Sequence, residues 1–229
     1  MAPQKQSWIK RAAWRAPSRL QHSLRRYYFM WQAARGRLAS GEQEHALLPT
    51  FIRPGDWVID VGANVGLYTL RMAQLVGAEG RVIAFEPVAS TFEILAGNCR
   101  VAGCRNVSLI NAAASDHSAL VRMTVPSEDG APNYYQAHIE EGGSGGQSAL
   151  ALSIDSLGLT ARIALVKIDA EGHDASVLRG MARLLERDRP TLIVESGDAA
   201  STAWLRELGY QSEHLEGSSN TIFRAAAAR

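Results

Sequence analysis

From Pro54 to Glu195 the chain repeats one pattern: a short apolar run, an acid at or just beyond its end, and then a helical stretch. Residues 57–61 form the first run, as expected for a strand buried on both faces, with Asp60 near its end. Gly62 to Gly66 make a turn, and Leu67, Leu70, Ala73 and Val76 then step by threes toward a stop at Gly77. Residues 81–85 are a second strand closed by Glu86 and Pro87. Phe92, Leu95, Ala96, Cys99 and Ala102 mark the inward face of the next helix, and residues 107–110 are a third strand with Asp116 beyond it. The pattern resumes at 164–168, followed by Asp169 and Glu171. A helix carrying Val177, Leu178, Met181, Leu184 and Leu185 comes next and stops before Pro190; Asp174 is expected to cap its start. Residues 191–194 are a strand ended by Glu195. A helix at 202–208 and two strands at 210–214 and 220–224 close the series.

Repeated strand–helix units imply an α/β, Rossmann-like fold: a mostly parallel sheet with helices on both faces. Here seven strands are expected, the last ones forming an antiparallel pair. At 229 residues the chain is long enough to bury a full core without metal or disulfide support. No apolar run reaches the roughly 18 residues of a membrane span. Two cysteines, Cys99 and Cys104, suit a reducing, cytoplasmic setting, and Cys99 falls on an apolar helix face.

Two segments break the pattern. Residues 1–41 read as a basic amphipathic arm ahead of a domain at 42–229. Nine of the 24 basic residues and none of the 23 acids lie in residues 1–40, leaving 15 bases against 23 acids, a net −8, in the remainder. Leu20, Leu24, Tyr27, Tyr28 and Trp31 make a stripe at helical spacing, with Trp8 and Trp14 nearer the start. The stripe is expected to pack on the body or on a second copy of the chain. Peripheral contact with an anionic membrane and an organellar targeting role are the alternatives; a secretory signal is not expected, because no apolar segment follows the charges. Residues 111–150 read as a variable insertion covering a substrate. They hold a strand near 121–125, the loop compositions 127–130 and 142–146, and Tyr134 and Tyr135, which are candidates for stacking on a substrate ring.

In a parallel sheet, ligands bind outside the carboxyl ends of the strands, where the strand order reverses. That is where the acids fall. Glycines after the first strand let a ligand approach the backbone, and Glu86, twenty residues after Gly66, is placed to accept hydrogen bonds from a ribose diol. A dinucleotide fingerprint wants Gly-x-Gly-x-x-Gly, whereas Gly62 and Gly66 are four apart with Asn64 between them. An acidic cleft also disfavours a dinucleotide's pyrophosphate.

Residues 58–69 (Val-Ile-Asp-Val-Gly-Ala-Asn-Val-Gly-Leu-Tyr-Thr) resemble the first motif of class I S-adenosylmethionine-dependent methyltransferases of the FkbM family. Residues 84–87 resemble its second motif, 111–116 its third, and 166–174 with 177–180 its most characteristic segment; Ile193-Val194-Glu195 completes the series. The resemblance covers about residues 42–224, and Asp174 stands where many members have Glu. It implies that S-adenosylmethionine is held by Asp60, Gly62, Asn64, Gly66, Glu86 and Asp116: Asp60 near the methionine amino group, Glu86 at the ribose and Asp116 at the adenine.

The resemblance further implies methyl transfer to a hydroxyl of a small molecule, saccharide, lipid-linked acceptor or secondary metabolite, with N-methylation as a variant. A hydroxyl must lose its proton at or before transfer. His173 is the candidate base, and Asp169 and Glu171 orient the acceptor or hold a divalent cation. No dedicated metal site is expected, because His22, His45, His117, His138 and His214 show no ligand spacing. Lys167 is expected to pair with one of the acids, and no nucleic-acid partner is expected. The rival readings are an NAD-dependent reductase, disfavoured by the glycine spacing and by the lack of a Tyr-x-x-x-Lys pair, and a non-catalytic membrane-docking or cofactor-binding module.

Overall fold

The computed structural model describes residues 18–128, 131–133, 136–139, 146–195 and 198–226. Its elements, in chain order, begin with α1 (Ser18–Ala34), α2 (Gln43–Phe51), β1 (Trp57–Val61), α3 (Leu67–Val76), β2 (Arg81–Phe85), α4 (Ala89–Val101) and β3 (Val107–Ile110). There follow the short strands β4 (Ala113–Ala114), β5 (Ala119–Thr124), β6 (Ser127–Glu128), β7 (Ala131–Pro132), β8 (His138–Ile139) and β9 (Gln147–Leu152), and a 3-10 turn at Ile154–Leu157. The chain then forms β10 (Ile163–Ile168), α5 (Asp174–Arg179), α6 (Ala182–Asp188), β11 (Thr191–Glu195), α7 (Ala199–Glu207), β12 (Tyr210–His214) and β13 (Asn220–Ala225).

A seven-stranded sheet runs in the order β12-β13-β11-β10-β1-β2-β3. β3, β2, β1, β10 and β11 pair in parallel, while β13 is antiparallel to both β11 and β12. This is the expected architecture, and the apolar runs explain it. In a strand covered on both faces, alternate residues must both find apolar neighbours. Ile59, Ile83, Phe85, Val166 and Ile168 point to the face packed by Leu178, Leu185 and Leu205 of α5, α6 and α7. Val58, Val82, Leu165 and Ile193 point to the other face, beneath Leu48 of α2 and Met72 and Val76 of α3. Each such buried side chain contributes roughly 1.5–3 kcal/mol by leaving water.

The expected continuous helix through 177–185 is two helices. α5 ends at Arg179 and α6 starts at Ala182. Glycine is required at the break, since a side chain at residue 180 would run into the carbonyl oxygen of Ser115. Gly180 instead accepts the Asp155 backbone N–H through its own carbonyl, and the Asp155 carboxylate accepts the Arg183 and Leu184 N–H groups that open α6. Asp174 also differs from expectation. It lies inside α5, His173 occupies the N-cap position, and the Asp174 Oδ1 accepts the Ala170 N–H at 3.0 Å.

The insertion contains a second sheet, β4-β9-β5-β8, whose β5 and β9 pair antiparallel. Met123 and Ala149, two of its buried residues, pack on Val88 at the start of α4. Tyr134, Tyr135 and residues 1–17, with Trp8 and Trp14, lie outside the described residues.

α1 lies along α4. Ala33 is buried there, Met30 lies against Gly97, and His22 Nε2 is 3.2 Å from Glu93. The stripe does not pack on the body as expected. Leu20, Leu24, Tyr27, Tyr28 and Trp31 are all exposed, because the helix uses its opposite side for α4.

α2 fastens the start of the domain to its last hairpin. Glu44 is wholly buried, accepts the Ser218 hydroxyl on both carboxylate oxygens and is bonded by the Asn220 side-chain amide. Gln43 donates to the carbonyl of Glu216 at 2.7 Å.

Candidate active site

The strand order reverses at β1. From β1 the chain builds outward through β2 and β3, and it later returns to the other side of β1 as β10. The Asp169 N–H still bonds the Val61 carbonyl at 3.1 Å; beyond that bond the two strands diverge into a cleft. The cleft measures about 220 Å³.

Gly62 opens the turn at φ +73°, and any side chain there would collide with the Asp169 carbonyl oxygen. Asn64 also takes a left-handed conformation, at φ 47°. Its N–H donates to Glu86 Oε2 at 2.9 Å, while the Val88 N–H donates to Glu86 Oε1 at 2.9 Å. Glu86 is therefore clamped by two backbone donors, one on each oxygen, and each oxygen keeps a lone pair. Burial pushes the Glu86 carboxyl up to about 7, against the pull of those N–H groups and of Arg25 on α1.

Of the residues expected at a cofactor, Gly62, Asn64 and Glu86 line the cleft. Asp60 and Gly66 stand behind the lining. Asp60 is fully buried, its Oδ2 accepts the Thr69 hydroxyl at 2.5 Å, and its Oδ1 meets no donor among the described residues. Burial raises its pKa against the attraction of Lys167. Gly66, at φ +96°, packs against Leu70 and Leu95 and begins α3. Asp116 lies outside the cleft lining, 2.6 Å from His117 Nδ1 and 3.5 Å from Arg179, and the His117 bond draws its pKa down.

Asp169, Glu171 and His173 all line the cleft, together with Glu195. His173 Nε2 is 2.9 Å from the Ser115 hydroxyl. Lys167, 3% exposed, reaches Asp169 Oδ2 at 2.8 Å and lies over the Tyr68 ring, 4.7 Å from its centroid. Burial opposes the Lys167 charge, but Asp169 and Asp60 raise its pKa overall. Burial likewise pushes Asp169 up, yet Lys167 and a hydrogen bond from Glu195 outweigh it and hold Asp169 below the usual range. Glu195 is the counterpart. Its hydrogen bond to Asp169, with burial, pushes it up to about 8, so it carries the proton that the two share at neutral pH. Burial and Asp169 raise Glu171 as well. Ligand oxygens of Asp169, Glu171 and Glu195 approach within 4.8 Å of one another. Lys167 and the proton shared between Asp169 and Glu195 offset part of their mutual repulsion.

Sequence reading missed Glu42. It follows the arm directly, lines the cleft and accepts the Tyr68 hydroxyl at 2.7 Å. The insertion read as a substrate cover does reach the cleft wall, through residues 112–114, Met123, Ala137, His138 and Ile139, though the sequence did not single out these residues. Those contacts depend on how the second sheet folds over the first, which no local pattern encodes.

Residues 60–212 match the methyltransferase FkbM domain. The chain belongs to the FkbM methyltransferase family. A curated relative, the 31-O-demethyl-FK506 methyltransferase FkbM of Streptomyces tacrolimicus, is 42% identical over 76 residues, covering 32% of this chain and 27% of that protein. Among solved structures, the FkbM methyltransferase of Methylobacillus flagellatus superposes with a TM-score of 0.55 at 15% identity, over 87% of this chain and 59% of that one. The fibrillarin of Aeropyrum pernix, solved with natively bound S-adenosyl-L-methionine, superposes at 0.51 with 14% identity, over 79% and 72%. These likenesses establish the class I methyltransferase fold, and the chain spans only 27% and 59% of the first two relatives' lengths.

Proposed function

We propose that this FkbM-family chain uses S-adenosylmethionine to methylate a hydroxyl of a small molecule, a saccharide, a glycolipid or another lipid-linked or secondary-metabolite acceptor. One observation carries the reading. A clamped, buried carboxylate with free lone pairs stands on one side of the cleft, and an imidazole among carboxylates stands on the other. The named relative acts, by its name, at an oxygen.

The residues present fit the cofactor. Glu86 offers one lone pair from each oxygen, the arrangement that binds a vicinal diol. The buried Asn64 Oδ1 and Asp60 Oδ1 lack donors among the described residues, and both stand beside the glycine turn. Asp60 is assigned to the methionine ammonium, Gly62 and Gly66 to backbone approach, and Asp116 to the adenine side. When bound, the cofactor supplies a methyl group activated by its sulfonium.

On the acceptor side, the His173 imidazole takes the hydroxyl proton as transfer proceeds, while Ser115 holds its ring. Asp169, kept ionised by Lys167, and Glu171 accept hydrogen bonds from the acceptor and fix its angle of approach. His138, Ile139 and Met123 wall this side.

Incubating the chain with S-adenosylmethionine labelled in the methyl group and with fractionated lipid, glycan and metabolite pools tests the reading. Label in a base-stable ether fraction is expected. Calorimetric binding of NAD, with no response to S-adenosylmethionine or its demethylated product, refutes it.

A further inference from the structure

We propose that α1 is a docking surface for an anionic lipid bilayer, on which its exposed stripe and arginines act together. Leu20, Leu24, Tyr27, Tyr28 and Trp31 share one side of α1 and face away from α4, with Tyr27 70% and Trp31 47% exposed. On the other side, Ala33 and Met30 already pack against the body. The stripe is therefore not an unfinished core contact; the helix has satisfied its own domain with a different face. Three of the five residues are Tyr or Trp, whose amphipathic rings favour the headgroup level of a membrane.

Charge selects the occupant. Residues 1–41 contain no acid, and the exposed arginines Arg35 and Arg37 flank the stripe at its end, with guanidinium carbons 4.3 and 5.9 Å from the Trp31 ring centroid. A second copy meeting this stripe through a two-fold axis would set two acid-free basic helices against each other. An anionic surface instead offers counter-charge to the arginines and an apolar layer to the rings at the same depth. Membrane association here requires no spanning segment, and none of the described helices is long and apolar enough to be one.

The docked helix lies close enough to the cleft to act on it. Glu42, eight residues beyond the end of α1, lines the cleft, and Arg25 of α1 acts on the charge of Glu86. On the methyl-transfer reading, from which this consequence follows, the favoured acceptor is a hydroxyl carried on a lipid. The docking itself does not depend on that reading.

Sedimentation of the full chain with phosphatidylglycerol–phosphatidylcholine vesicles, and with phosphatidylcholine alone, tests it. Binding is expected to the anionic vesicles only and to weaken as salt rises. Arg35→Gln with Arg37→Gln is expected to weaken it on the order of twentyfold, at about fivefold per charge. Tyr27→Ser with Trp31→Ser should weaken it at least about tenfold, because both rings leave the apolar layer. Both pairs are exposed, so the unfolding midpoint is expected to stay unchanged. Failure of the intact chain to sediment at low salt overturns the proposal, as does equal binding to neutral vesicles. A dimer in solution that the Tyr27/Trp31 variant splits, without vesicle binding, overturns it in favour of a second copy.

Discussion

Replacing Glu86 by glutamine separates the stability of the fold from the demands of its ligand. The Glu86 side chain titrates at about 7 in the folded chain against 4.5 for a free carboxyl, because its burial is incompletely offset by the Val88 and Asn64 N–H groups. The folded pKa is raised, so the fold retains a proton that the unfolded chain releases. Stability from this group is full below pH 4.5 and is lost as the pH climbs through about 7. At about 1.4 kcal/mol per pH unit between the two values, the loss reaches about 3 kcal/mol above pH 7. Glutamine has no such slope. It does turn an amide N–H toward one of the two backbone donors, but that cost is the same at every pH. Urea unfolding of both proteins from about pH 5 to 8 is expected to show the variant gaining steadily on the wild type, by most of that figure. Binding of S-adenosylhomocysteine goes the opposite way. In the wild type it tightens as pH rises through about 7, because a diol donates best to the ionised carboxylate, and in the variant it is weaker by roughly 10- to 150-fold. A stability difference that does not change with pH would refute the burial of this charge.

Five further substitutions test the cleft. His173→Ala is expected to lower turnover by roughly 100-fold or more while leaving product affinity within about twofold, and Ser115→Ala to shift the pH profile of turnover with a smaller loss; normal turnover of His173→Ala across neutral pH removes the base assignment, and a Ser115→Ala profile that stays in place removes the positioning. Gly62→Ala is expected to destabilise the chain by more than about 2 kcal/mol in denaturant, since it demands a left-handed alanine and displacement of the Asp169 carbonyl. Asp169→Asn should cost about 1–3 kcal/mol, less than breaking a wholly buried pair, because its side chain is 35% exposed and Asp60 still attends Lys167; Glu195→Gln should cost well under 1 kcal/mol at neutral pH, because glutamine keeps the donor that Glu195 already presents.

The strands of the large sheet were legible because a strand covered on both faces must be apolar throughout, and Val58, Ile59, Val166 and Val194 satisfy that locally. The glycine turn was legible for the same kind of reason: Gly62 is demanded by a collision with its neighbour strand. The stripe of α1 misled. Its five apolar residues outrank the packed side in hydropathy, yet the packed side is chosen by partners on α4, such as Glu93 for His22 and Gly97 for Met30, that lie far away in sequence. The split at Gly180 was hidden likewise, because the Asp155 carboxylate that accepts the opening N–H groups of α6 lies twenty-eight residues earlier in the chain. β9 escaped notice because it is built largely of small residues, with Ala149 and Ala151 inward and Leu150 exposed.

The lock between Glu44 and the final hairpin imposes an order on synthesis. A ribosome delivers the strands β1, β2, β3, β10 and β11 before Ser218 and Asn220 emerge, so a nascent chain can pair its whole parallel core while Glu44 still lacks the donors that let it be buried. Until they arrive, α2 keeps its apolar side, the His45–Leu67 contact and the Glu42–Tyr68 bond, but Glu44 beneath it has no donor to match its charge. The anchor of α2 is thus completed last, by residues outside the cleft lining, and a nascent chain can hold its parallel core while Glu44 is still unmatched.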